Sequence, residues 1–115
     1  MPGAPGRLTG RSSFARLRTS GVRVRRGPLG ATVLLTDGPT RIGFALPTSL
    51  GNAVVRNRLR RQLRAIARSS LALPHADILI RPGSTCLTLS YRNLEVAFND
   101  LAFKIADTTA PRKLP

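Results

Sequence analysis

A single mixed α/β domain is predicted by three features of the sequence. Four runs of apolar and β-branched residues, at 22–26, 31–36, 41–46 and 76–80, have the length and composition of strands. Stretches at 12–19, 52–68 and 90–106 instead repeat their apolar residues at helical spacing. Finally, a chain of 115 residues is one domain by length, and it buries roughly two thirds of its unfolded surface without needing staples.

The elements follow in order. Residues 1–6 hold two Pro and two Gly, a composition that forms no regular structure, so they read as a disordered arm ahead of a domain spanning 7–107. Ser12 or Ser13 is placed to cap a short helix carrying Phe14 and Leu17 on one side, and Gly21 ends it. The alternation Val22-Arg23-Val24-Arg25 reads as extended chain, broken by Gly27-Pro28-Leu29-Gly30. Residues 31–36 form the next strand, and Asp37-Gly38-Pro39 turns the chain into residues 41–46, read as its antiparallel neighbour. Thr48 or Ser49 stands where it could cap the helix that starts near Asn52. After that helix, residues 76–80 form a nearly continuous apolar run with Asp77 at its edge, the pattern of an interior strand. Arg81-Pro82-Gly83-Ser84 reads as a turn, and residues 85–89 fit either a short strand or an extended loop. Ser90 with Asn93 caps a closing helix in which Leu94, Phe98, Leu101 and Ile105 recur, and residues 108–115 read as a flexible basic tail.

The helix at 52–68 organises the rest. At roughly 100° per residue, Val55, Leu59, Leu63 and Ile66 fall on one side, while Arg56, Asn57, Arg60, Arg61, Arg64 and Arg68 fall on the other. With Arg58 this makes six arginines in the thirteen positions 56–68 and no acid. Such a strip repels itself unless a polyanion is present. A planar guanidinium makes paired hydrogen bonds to phosphate and stacks on bases, so the strip is read as a nucleic-acid-binding face.

The whole composition agrees. A formal charge of +14, from nineteen basic and five acidic residues, attracts phosphate at long range. The single Cys86 offers neither an internal disulfide nor a zinc cluster, which points to a reducing, cytoplasmic setting. No apolar run is long enough for a membrane span. Enzymatic machinery is scarce: His75 is the only histidine, Asp37 and Asp77 are the only carboxylates before Glu95, and no phosphate-cradling glycine loop is present. Whatever reaction this chain serves, its own side chains are not expected to perform it.

Arg41-Ile42-Gly43-Phe44-Ala45, followed by Gly51-Asn52-Ala53-Val54-Val55-Arg56-Asn57-Arg58-Leu59-Arg60-Arg61-Gln62-Leu63-Arg64, resembles the signature of the bacterial ribonuclease P protein family. The resemblance implies an α/β sandwich shared with one domain of a small-subunit ribosomal protein, in the order α-β-β-β-α-β-α with a left-handed crossover. It implies an endoribonuclease that works as a ribonucleoprotein: a catalytic RNA subunit holds magnesium and cuts precursor tRNA at its 5′ end. By the same likeness Asn52, Arg56, Asn57, Arg58, Arg60, Arg61, Arg64 and Arg68 would meet that RNA. A cleft with Phe14, Arg18 and Arg41 would hold the single-stranded 5′ leader, with no catalytic or metal-binding residue in this chain.

Phe14 suits base stacking, and it equally suits anchoring its helix to the sheet. The sequence also departs from the family pattern. Thr48-Ser49 stand where two lysines are usual, Arg18 replaces an aromatic residue, and Ala65 replaces a glutamate. Two other classes share the basic character, a ribosomal or ribosome-assembly protein and a nonspecific DNA-coating protein. All three bind with a steep salt dependence, so only RNA preference and stimulation of tRNA processing separate them.

Overall fold

The computed structural model describes residues 5–70 and 73–110. Its elements are β1 (Gly6–Arg7), α1 (Arg11–Ser20), β2 (Val22–Arg26), β3 (Leu29–Leu35), β4 (Arg41–Phe44), α2 (Ala53–Arg68), β5 (Ala76–Pro82) and α3 (Tyr91–Thr109). Short 3-10 turns occupy Thr48–Leu50 and Ser84–Thr88. The α-β-β-β-α-β-α order therefore holds, with β1 added in front.

The five strands lie in the order β1-β4-β5-β3-β2. β2 and β3 form a hairpin whose turn is only two residues long, because Gly27 adopts the left-handed φ of 56° that the tight reversal needs. Leu29 and Gly30, expected in the break, belong to β3. The expectation that residues 41–46 pair antiparallel with the preceding strand is overturned. β5 inserts between β3 and β4, antiparallel to β3 and parallel to β4. The physical reason is burial: Ala76, Ile78 and Ile80 are fully covered on one face and Asp77 is 1% exposed on the other, so β5 takes a central place. A parallel β4–β5 pair needs a long crossover, and α2 supplies it.

One face of the sheet is covered by α2 and α3. Leu59, Leu63 and Ile66 of α2, Leu94, Phe98, Leu101 and Ile105 of α3, and Val24, Ala31, Val33, Ile42, Ile78 and Ile80 of the sheet form one continuous core. Burial of each large side chain contributes about 1.5–3 kcal/mol as an upper bound. Val55 does not join this core, contrary to expectation: it stays 37% exposed in the first turn of α2, packed beside Gly51. Among the described residues the other face carries α1, which rests on β3 and β5 through Leu17, and Leu8, which packs on Gly43. Close approach there requires Gly21, since a Cβ would stand 2.6 Å from Thr32 Cγ2 and 2.5 Å from the Leu17 carbonyl oxygen.

Three caps differ from the sequence reading or sharpen it. Helix α1 is preceded by Gly10 and has no side-chain cap, and Ser13 is buried inside it. Thr48 and Ser49 form their own 3-10 turn, while Asn52 caps α2 by accepting a 3.0 Å hydrogen bond from the Val55 amide. Ser90 caps α3 as expected, accepting from the Asn93 amide at 3.1 Å. Residues 85–89, left open between strand and loop, fall mostly in the second 3-10 turn. Gly6, read as part of the arm, pairs with Arg41, and α3 runs to Thr109, two residues past the expected domain end. The rest of the expected arm and tail, residues 1–4 and 111–115, lies outside the described residues, as do 71 and 72.

Candidate nucleic-acid interface

Helix α2 presents its arginines because its apolar stripe is anchored in the core. Arg58, Arg61, Arg68, Asn52 and Asn57 are exposed, and Arg56, Arg60 and Arg64 are half-buried. Neighbouring groups order these three. Arg56 Nε donates to the Gly51 carbonyl at 3.1 Å, Arg60 Nη1 donates to Asn57 Oδ1 at 2.9 Å, and the Arg64 guanidinium lies 5.2 Å from the centre of the Phe44 ring. Among the described residues the one ion pair is Arg41–Asp77, so no carboxylate neutralises the strip.

Arg64 records this crowding in its titration. Its pKa is lowered from the ordinary arginine value, first by desolvation and then by repulsion from Arg7, Arg60 and Arg68. Arg7 belongs to the strip because β1 pairs with β4, which sets Arg7, Phe44, Arg64 and Arg68 around one hollow of about 130 Å³. The sequence reading missed it, since a two-residue strand has no periodicity to detect. Arg58 points elsewhere, into a groove shared with Val55, Gln62, Leu87 and Leu89.

A second concave surface lies between α1 and the open face of the sheet. Phe14, Leu17, Arg18, Gly21, Arg23, Thr32, Leu79 and Arg81 line a cleft of about 100 Å³ there. Phe14 is half-buried and borders the cleft. Thr32 is only 4% exposed, and its Oγ1 has no hydrogen-bond partner within the protein. A buried hydroxyl left in that state is costly, and a polar ligand group entering the cleft would relieve it. Thr32, Arg23 and Arg81 were not singled out from the sequence. The Val-Arg-Val-Arg alternation of β2 carried the signal for Arg23, because its valines and arginines must face opposite ways.

Phe14 and Arg18 come together in this cleft, but Arg41 is not among its lining residues. Its guanidinium grips Asp77 in a fork, with Nε 2.8 Å from Oδ1 and Nη2 2.7 Å from Oδ2, and also donates to Ser13 Oγ at 3.2 Å. The hydrogen bond and charge of Asp77 raise the Arg41 pKa. Asp77 is 1% exposed, and through it and Ser13 this pair ties β4, β5 and α1 together. His75 is an exposed loop residue whose Nδ1 lies 2.9 Å from the Gly38 carbonyl oxygen. Among the described residues no three His, Cys, Asp or Glu side chains gather as a metal site, and no helix is long and apolar enough to cross a membrane.

Comparison with known proteins gives a consistent result. The family model for ribonuclease P matches residues 4–106. The ribonuclease P protein component of Salinispora tropica is 43% identical over 79 residues, covering 67% of this chain and 56% of the relative. That of Thermus scotoductus is 36% identical over 103 residues, covering 87% of this chain and 60% of the relative. The chain thus spans about three fifths of the length of these relatives. In three dimensions it resembles the ribonuclease P protein from Thermotoga maritima, with a TM-score of 0.78 at 21% identity over 86% of this chain and 96% of the other.

Proposed function

Since this chain belongs to the ribonuclease P protein family, we propose that it is the protein subunit of that ribonucleoprotein and promotes maturation of the tRNA 5′ end. The observation that carries the reading is the α2 strip: five arginines and two asparagines held outward by a buried stripe, with Arg58 at its flank and no carboxylate among them. In this reading Arg56, Asn57, Arg58, Arg60, Arg61, Arg64 and Arg68, with Asn52 at the helix start, dock on the phosphates of the catalytic RNA. Arg7 extends the contact past the helix end. These phosphate contacts fix position rather than read sequence.

The cleft of Phe14, Arg18, Arg23, Thr32 and Arg81 then receives the single-stranded leader of precursor tRNA. Phe14 offers a ring face to a base, which any base can use, and Arg18 faces the backbone. Arg41 acts indirectly, by holding α1 on the sheet through Ser13. Magnesium supplies the chemistry of the cut when bound. The described residues do not fit it, because Asp77 is committed to Arg41 and the acids of α3 are not clustered. In this reading binding and orientation are the chain's contribution to a cytoplasmic enzyme whose reacting groups belong to RNA.

The test is reconstitution. Added to a bacterial ribonuclease P RNA at low magnesium, the protein is expected to permit 5′ cleavage of precursor tRNA that RNA alone performs slowly. Tight binding to ribosomal RNA without any such stimulation would favour a ribosomal role instead.

A further inference from the structure

Among the described residues nothing covers the outward face of helix α3. At roughly 100° per residue, Val96, Asp100, Phe103, Lys104 and Asp107 fall opposite the buried stripe of Leu94, Phe98, Leu101 and Ile105. Phe103 is 68% exposed, and Val96, earlier on the same stripe, is 52% exposed. A phenyl ring so placed keeps its apolar surface in water until a partner removes it.

The charges around the ring are also unspent. Asp100 and Lys104 stand in the spacing and order that favour a bridge along one helix, yet among the described residues the one ion pair is Arg41–Asp77. Lys104 Nζ instead donates to the Arg25 carbonyl at 2.7 Å, which fixes the ammonium on the β2 side of α3 while its other hydrogens stay available. Among the described elements α3 alone has more acids than bases, Glu95, Asp100 and Asp107 against Arg92 and Lys104. In a chain of net charge +14 it is the surface where a second copy meets the least repulsion.

This face is complementary to itself. When two α3 helices lie antiparallel across a two-fold axis level with Ala102, Phe103 meets Phe103 of the second copy beside the axis. Asp100 and Lys104 lie about 3 Å along the helix on either side of that level, so each Asp100 comes level with Lys104 of the other copy. A two-fold axis perpendicular to both helices brings like flanks together, and these two residues, about 40° apart around α3, share a flank. One aromatic pair is thus bracketed by two equivalent ion pairs.

We propose that α3 is a self-association surface, on which two copies of this chain pair antiparallel through Phe103 with Asp100 of each bound to Lys104 of the other. The contact is one helix wide, well short of the roughly 800 Å² per partner of a stable dimer. The pair is therefore weak, and its register is set by the charges. No α2 arginine belongs to this face, so the pairing is independent of the RNA reading.

The test traps the pair in the full chain. Phe103→Cys places a thiol beside its own symmetry mate, whereas Val96 lies about 18 Å along the helix from its mate. Under mild oxidation Phe103→Cys is expected to form a disulfide-linked dimer roughly tenfold faster than Val96→Cys or the exposed control Val54→Cys, each rate normalised to the reactivity of its thiol with a small disulfide. Cys86 is 2% exposed and stays out of the reaction. In the Phe103→Cys background, Asp100→Lys alone and Lys104→Asp alone are each expected to lose roughly tenfold in rate. Mixed, they are expected to regain it as a heterodimer, because each supplies the charge the other lacks and their summed charge equals that of two unaltered chains. Sedimentation equilibrium of the two charge variants with Phe103 intact is expected to show the same pattern without oxidation.

Equal trapping at positions 54, 96 and 103 would overturn the pairing, as would a mixture that associates no better than its parts. A faster rate in Lys104→Asp alone would overturn it too, since lowered net repulsion would then account for the whole effect.

Discussion

Helices α2 and α3 share a core and differ in what they show to solvent. Both bury a stripe of Leu, Ile and, in α3, Phe98 in one cluster against the same face of the sheet. Outward, α2 carries six arginines and no acid, whereas α3 mixes Glu95, Asp100 and Asp107 with Arg92 and Lys104 around an exposed Val96 and Phe103. Burial dictates how each helix is rotated; the sign of the remaining face decides whether RNA can approach it. In a chain of net charge +14, α3 is the region where the positive field is locally cancelled.

The comparison breaks most violently if the shared core is attacked. Leu63→Asp sets an unpaired charge at a fully buried position and is expected to cost more than about 4 kcal/mol, enough to unfold a marginally stable domain. Leu101→Asp in α3 should do the same, and loss of the cooperative thermal transition in both checks it. The outer faces should then diverge. Arg60→Ala with Arg64→Ala is expected to weaken RNA binding on the order of 10- to 100-fold and to lower the salt slope by about 1.4–1.8, with thermal unfolding shifted only slightly. Asp100→Ala with Asp107→Ala should leave RNA affinity equal to wild type or a little higher. Both are read by titration at several salt concentrations.

The smallest effect concerns the helix starts. Asn52→Ala and Ser90→Ala each remove a side-chain cap and should cost about 1 kcal/mol by denaturant unfolding. Any extra loss of RNA affinity in Asn52→Ala, corrected for stability, would show that its amide also touches RNA.

What the sequence disclosed follows the same division between local and distant causes. The two-sided character of α2 was legible because 3.6-residue periodicity is local, and Leu59, Leu63 and Ile66 landed in the core as expected. The end of that stripe was misjudged at Val55, which packs beside Gly51 in the first turn and stays exposed to solvent. The partner of β4 was invisible, because β5 is contributed from across a helix and strand pairing at that separation leaves no mark on either strand. Asp77 hinted at a buried ion pair by interrupting an apolar run, yet nothing pointed to Arg41 as its partner across 36 positions. The cleft was half legible: Phe14 and Arg18 share a helix face, whereas Thr32, Arg23 and Arg81 reach it only through the register of β2, β3 and β5.

The most direct measurement of the contrast places a hydroxyl-radical source on each helix in turn. Ala65→Cys on α2 and Val96→Cys on α3 are both exposed positions that leave every arginine in place. The native Cys86 is 2% exposed with its thiol pKa raised, chiefly by burial, so it resists labelling in the folded protein. With tethered iron chelate and a bacterial ribonuclease P RNA, strand scission is expected from position 65 and none above background from position 96. Equal cutting from both, or cutting from α3 alone, would contradict the assignment of α2 as the RNA-facing surface.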